Sequence, residues 1–225
     1  MTDQTRRPRR GRQAEAERND RLVLDAAREV FAAQGFDAPV SAVARRAGVG
    51  MGSLYRRYGS KTELLQRLCM AAMEQAIEAA ETAAAAEDAW SGLVEYVRTC
   101  VAFGSGAFAP VAGTFQTTPD MWKASRRGRN LLETVVARAR RDGRLRPDVT
   151  ALDVAWLVEQ FSRRRAAPPS GEDDNVQRRL LAIALDGLRA PPPETLPGTP
   201  PSAHHYEGRW RYRGSPAEPP RGGDA

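Results

Sequence analysis

The residues best suited to chemistry fall within a few turns of one another: Met51, Gly52, Ser53, Tyr55, Arg56, Arg57 and Tyr58, followed by Lys61. This group contains no nucleophile with a base beside it and no metal-ligand spacing. It offers hydroxyls, guanidinium groups and an ammonium, donors that suit phosphate oxygens and base edges, beside a glycine that lets the backbone approach a partner closely. Elsewhere such chemistry is sparse. The helical part of the sequence has no histidine, and His204 and His205 lie near the C-terminus. Cys69 and Cys100 have no ligand spacing and read as reduced, buried thiols. No catalytic residue, metal ligand or cofactor is assigned.

Position for that cluster must come from the elements around it. Apolar residues Leu22, Val23, Ala26, Ala27, Val30 and Phe31 recur at helical spacing after Asn19 or Asp20, either of which is a good cap, and Gly35 stops the run. A shorter helix follows Pro39, with Val40, Val43, Ala44 and Ala47 on one face and Gly48 closing it. The cluster itself is the third helix. Then Ser60 and Glu63 form a capping box for a long fourth helix bearing Leu64, Leu65, Leu68, Ala72 and Met73.

Beyond Cys69 the pattern stays helical: an alanine-rich run breaks near Glu87 and Asp88, and helices are expected over 91–103, 120–142, 150–165 and from 173 or 174 to 189. Residues 104–119 read as a broken connection. No sustained period-two alternation is present, so the fold class is all-α. Residues 190–225 hold nine of the sixteen prolines and read as a disordered tail, and residues 1–18 as a flexible basic arm.

Charge narrows the partner. Residues 1–67 carry 14 Lys and Arg against 8 Asp and Glu, whereas the remainder has 20 of each, so the whole net charge of +6 lies in the first third. A basic end of this kind suits a polyanion at that end alone. No stretch is apolar for the roughly 18 to 20 residues a membrane span needs, and the N-terminus lacks the apolar segment of a signal peptide, so a soluble, cytoplasmic protein is expected.

Two short helices joined at Gly48, the second with exposed polar and aromatic groups, make a helix-turn-helix over 39–58. Gly48 permits the turn, Val49 points inward, and Met51 to Tyr58 is the recognition helix, which enters the major groove of double-stranded DNA. Tyr55 and Arg56 reach phosphates or base edges, and Lys61 adds a cation at a helix start already suited to phosphate. Leu54 is core. Tyr58 has two readings, packing on the first helix or touching DNA; so has Arg57, phosphate contact or solvated face. Arg45 and Arg46 read as solvated, with phosphate contact as the second reading.

The succession "AAREVFAAQGFDAP" and "VARRAGVGMGSLYRRYGSKTELL", ahead of a long helical remainder, resembles the TetR family of bacterial transcriptional regulators over about residues 19–68. The resemblance implies an N-terminal three-helix DNA-binding domain, 19–67, and a C-terminal helical regulatory and dimerisation domain, 68–189. It further implies a homodimeric repressor on a palindromic operator, released by a small-molecule effector. The family's contact segment corresponds to Gly52, Ser53, Leu54 and Tyr55, and its phosphate-contacting lysine to Lys61. Where the family commonly opens the second helix with Thr or Ser, this chain has Ala38 and Pro39.

In such a fold Val176, Leu180, Ile183, Ala184 and Leu188 form the dimer seam, or else cover their own subunit's core. Tyr96, Cys100, Phe103, Phe115, Met121, Trp122 and Trp156 are candidates to line the effector pocket, or are ordinary core. With no charged residue evidently destined for that pocket, the effector reads as apolar or aromatic. "RWRYR", residues 209–213, mixes aromatics with cations and has two readings, idle tail or a DNA contact. Two alternatives are a helical DNA-binding protein without effector control and a helical enzyme using cysteine or carboxylate chemistry.

Overall fold

The computed structural model describes residues 8–162, 171–191 and 194–212, with backbone only for 8–17. Its helices are α1 (Pro8–Gln34), α2 (Val40–Ala47), α3 (Met51–Tyr58), α4 (Lys61–Ala85), α5 (Ala89–Phe103), α6 (Pro119–Arg141), α7 (Ala151–Ser162), α8 (Gly171–Asp186) and α9 (Ala203–Gly208), with a 3₁₀ turn at Ala109–Val111. Among the described residues there is no strand, only a bridge between Leu145 and Arg189. None of these helices is long and apolar enough to cross a membrane. The chain divides into two compact units, one running to Ala71 and the other taking most of the remaining residues.

In the first unit α1 begins at Pro8, well before the expected cap, which corrects the reading of residues 1–18 as a flexible arm over 8–18, while 1–7 lie outside the described residues. Proline suits a first helical turn, and the Arg, Gln, Glu and Ala residues after it are good helix formers that need no apolar stripe. Asp20 is therefore interior to α1 and its carboxylate serves elsewhere. α1 buries Val23, Leu24, Ala26, Ala27, Val30 and Phe31, whereas Leu22 is exposed. α2 turns in Val40, Val43 and Ala44, α3 turns in Leu54 and Tyr58, and α4 adds Leu64, Leu65 and Leu68. Each buried Val, Leu or Phe among them contributes about 1.5–3 kcal/mol before chain entropy is counted, and each alanine less.

Gly48 ends α2 at φ 68°, ψ 27°, with backbone bonds back to Ala44 and Arg45. A side chain there would be strained, which is why a glycine makes this turn. At the next junction Ser60 Oγ accepts from the Glu63 amide at 3.1 Å, as its spacing predicts.

The second unit is built around α5, α6 and α7. Leu93, Tyr96, Val97 and Cys100 of α5 join Leu132, Val135, Val136 and Ala139 of α6, Val154 and Val158 of α7, and Leu181 and Leu185 of α8 in one cluster. Local chemistry sets the ends. Asp88 caps α5 through the Ser91 amide at 3.1 Å, and Thr118 caps α6 through that of Met121 at 3.2 Å. Thr150 and Asp153 exchange amide-to-side-chain bonds of 2.7 and 3.3 Å at the start of α7. Arg138 of α6 donates to the Ala84 carbonyl and, at 2.8 Å, to that of Ala86, filling acceptors that the end of α4 leaves open.

Between α5 and α6 the chain lies hard against α7. A Cβ on Gly106 would stand 2.3 Å from the Glu159 Cα and 2.9 Å from its nitrogen. Only a glycine fits that approach.

The stretch after α8 departs most from expectation. The reading of residues 190–225 as disordered fails for 194–212, which dock on the second unit. Arg146 forks onto Asp148 at 2.6 and 2.9 Å and donates to the Glu194 carbonyl at 2.5 Å, while Asp148 Oδ2 accepts from the Leu196 amide at 2.8 Å. The short α9 is then brought against α6 and α7. A proline-rich segment buries little apolar surface, but it can be held by charge pairs and stacking.

Candidate nucleic-acid interface and regulatory site

The recognition helix divides cleanly. Leu54 and Tyr58 point inward, 2% and 5% exposed, while Met51, Gly52, Ser53, Tyr55 and Arg56 are exposed, Tyr55 at 44%. Its N-cap is Gly50 and that of α2 is Pro39, and neither supplies a side-chain cap. The hydroxyl cap missing at Ala38–Pro39 is thus absent in the structure too. Neither helix start has a side-chain cap, and the amides of Ala42 and Ser53 bond instead to the Pro39 and Gly50 carbonyls at 2.9 and 3.0 Å.

Two members of the predicted contact set are engaged within the protein. The Tyr58 hydroxyl donates to Asp20 Oδ1, and Arg57 Nε donates to the same oxygen at 2.6 Å. Burial first, then Asp20, push the Tyr58 phenol well above its ordinary value, so it stays protonated and keeps donating. Tyr58 is therefore packed inward, the first of its two readings. Arg57 is ion-paired, and one carboxylate of α1 fixes the C-terminal end of α3. Lys61 is half-buried, its Nζ 5.9 Å from the Phe31 ring centroid, and Phe31 stacks on Phe36 at 5.7 Å. Arg46 pairs with Glu29 at 2.5 Å, and Arg45 is exposed.

In the second unit the seven pocket candidates separate. Tyr96 and Cys100 are buried in the α5–α7 cluster. Phe115 and Met121 are buried outside it, and Phe103, Trp122 and Trp156 are half-buried. Burial pushes the Cys100 thiol up to about 11 and that of Cys69 up to about 12, so both are protonated and unreactive. Burial, then Cys100 and then Tyr206, hold the Tyr96 phenol well above its usual value.

Glu159 overturns the expectation that no charge enters this region. It lies on α7 with 4% of its side chain exposed, and Arg209 forks onto it at 2.9 and 2.8 Å. The Arg209 guanidinium lies 3.9 Å from the Trp156 centroid and 4.8 Å from that of Tyr206. Tyr206 meets Trp156 edge-on at 5.8 Å, His205 stacks on the indole at 6.1 Å, and Arg129 of α6 holds Glu207. The indole Nε1 is buried with no hydrogen-bond partner, which costs about 1–3 kcal/mol.

Glu159, Tyr206 and Arg209 were missed from sequence. A signal was present in each segment: a single acid within "VAWLVEQF", and arginine alternating with aromatics in "RWRYR". Their partnership spans 50 residues, which no local pattern reveals.

On α8 Val176, Leu180 and Ile183 are 48%, 51% and 58% exposed, Ala184 is half-buried, and the inward positions are Leu181 and Leu185; Leu188, just past its end, is half-buried. Val176, Leu180 and Ile183 thus stay outside their own subunit's core, whereas Leu188 packs against it.

Comparisons with known proteins agree with this architecture. Residues 23–68 match the family model of bacterial regulatory proteins of the tetR family, and residues 88–190 match the C-terminal domain of SbtR-like transcriptional regulators. Together they cover more than half of the chain. Over 54 residues the sequence is 48% identical to the HTH-type transcriptional regulator SrpR of Pseudomonas putida, a match spanning 24% of this chain and only 25% of that protein. A TetR transcription regulatory protein from Mycobacterium vanbaalenii aligns with TM-score 0.54 and 26% identity over 79% of this chain and 99% of its own. One from Streptomyces coelicolor aligns with TM-score 0.55 and 23% identity over 78% and 99%, which speaks to fold alone.

Proposed function

The chain belongs to the TetR family and is a DNA-binding transcriptional regulator; from that premise we propose that it works in the cytoplasm as a homodimeric repressor, binding a palindromic operator until a small-molecule effector releases it. The observation that carries the DNA half of this reading is the division of α3, with Leu54 and Tyr58 inward and Met51, Gly52, Ser53, Tyr55 and Arg56 outward. The outward set enters the groove, the small residues Gly52 and Ser53 allow close approach, and Lys61 meets the phosphate backbone. Tyr55→Ala is expected to weaken specific binding by about 1–3 kcal/mol, the scale of one good contact. A gel shift unaltered in the folded variant removes Tyr55 from the interface.

The apolar stripe on α8 supports the dimer, since exposed Val176, Leu180 and Ile183 stand in one helical row. The half-sites of a palindrome stand about 34 Å apart, one turn of DNA, and a dimer makes engagement of the second half-site intramolecular. Ile183→Asp is expected to sediment as a folded monomer that keeps only weak nonspecific DNA binding. A dimer that still binds the operator refutes this seam.

A further inference from the structure

We propose that Glu159 and Trp156 form a binding site for a planar organic cation, an amidinium or guanidinium compound, and that the chain's own Arg209 fills it as a tethered stand-in ligand. The proposal rests on the reading of the second unit as effector-sensing, and to the apolar or aromatic effector that sequence suggests it adds a positive charge.

Glu159 fixes the sign of the ligand. A carboxylate with 4% of its side chain exposed is tolerated only with a cation against it, and the structure supplies one from outside the α5–α7 core. Shape comes from the contacts. Both carboxylate oxygens are engaged, at 2.9 and 2.8 Å, and the guanidinium lies over the indole at 3.9 Å. A flat cation with two donors on one edge reproduces both contacts; a compact ammonium does not.

The present occupant is built to leave. α9 has six residues and none is buried, and a helix that short has no stability of its own. Beyond Arg209 it is held by Arg129 on Glu207 and by rings against Trp156. Nor does it complete the site, because Trp156 Nε1 stays without a partner. Arg146 and Asp148 meanwhile tether the chain at Glu194 and Leu196, so a released α9 stays close and competes.

The test uses the full chain and benzamidinium, with neutral benzamide as its isostere. Hydrogen exchange of the amides from Ala203 to Arg209 should rise on saturation with benzamidinium and not with benzamide, a readout that needs no variant. By calorimetry, Arg209→Ala should bind benzamidinium about tenfold more tightly than the parent chain, the factor expected when a competing segment is docked roughly nine-tenths of the time. Glu159→Gln, added to that variant, should abolish the binding while helical circular dichroism persists. Exchange that does not respond to benzamidinium, equal binding of benzamide, or binding indifferent to Glu159→Gln overturns the proposal. Operator affinity is measured separately: displacement of α9 with no change in operator binding upholds the cation site and refutes effector control through it.

Discussion

Each unit uses one carboxylate to hold an arginine from another segment with a tyrosine close by, and the two arrangements differ in what stands behind them. Asp20 holds Arg57 and Tyr58, with Tyr58 5% exposed beside a fully buried Leu54. Glu159 holds Arg209, which lies against Tyr206 at the end of a helix with no buried residue. With apolar backing the polar contact is a fixed strut for the recognition helix. Without it, the same chemistry makes a clasp that can open.

The largest effect that could break this contrast lies at Tyr58. Tyr58→Ala removes a buried ring as well as its bond to Asp20 and should cost about 3–5 kcal/mol in chemical denaturation. Tyr58→Phe keeps the ring and should cost about 1 kcal/mol. If the two variants lose equally, the strut depends on the hydroxyl and not on packing.

A smaller loss is expected at Arg209. Removing one partner of an immovable buried pair costs about 3–5 kcal/mol. Because α9 can lift and admit water to Glu159, Arg209→Ala should lower global stability by less than about 1 kcal/mol, with the change confined to local opening. A full-sized loss in denaturant would make the clasp as rigid as the strut.

The smallest effect is at the tether. The Arg146 fork, then the Leu196 amide, hold Asp148 at about 2, below its ordinary 3.8. A depressed folded-state value gives stability that is complete above the ordinary carboxylate range and is lost as pH falls from about 4 towards 2. The Leu196 amide resonance should shift across that window, and Asp148→Asn should abolish the transition. A transition that survives in the variant belongs to another carboxylate.

Legibility in the sequence tracked the kind of interaction. Pro39, Gly48 and the Ser60–Glu63 pair delimit α2, α3 and the start of α4 because turn and cap chemistry is local. The outward residues of α3 were readable for the same reason: a helix of eight residues with Leu54 inward leaves few choices for Tyr55 and Arg56. What stayed hidden was pairing across distance. Nothing near Asp20 signals that it serves Arg57 and Tyr58 instead of capping a helix, and nothing near residue 209 points to Glu159. Composition also misled over residues 194–212, since apolar content measures one route to order and this segment uses another.

Gly106 bears on how this regulator can vary. With the Glu159 backbone 2.3 Å from where its Cβ would be, any side chain there must push α7 away from the loop that leads to α6. In a saturation library selected for folded protein, position 106 should therefore return glycine alone. Neighbouring Ala107 is partly exposed and should tolerate exchange. Such a library would mark the floor beneath Glu159 as a place where sequence drift is closed, however freely the segment above it changes.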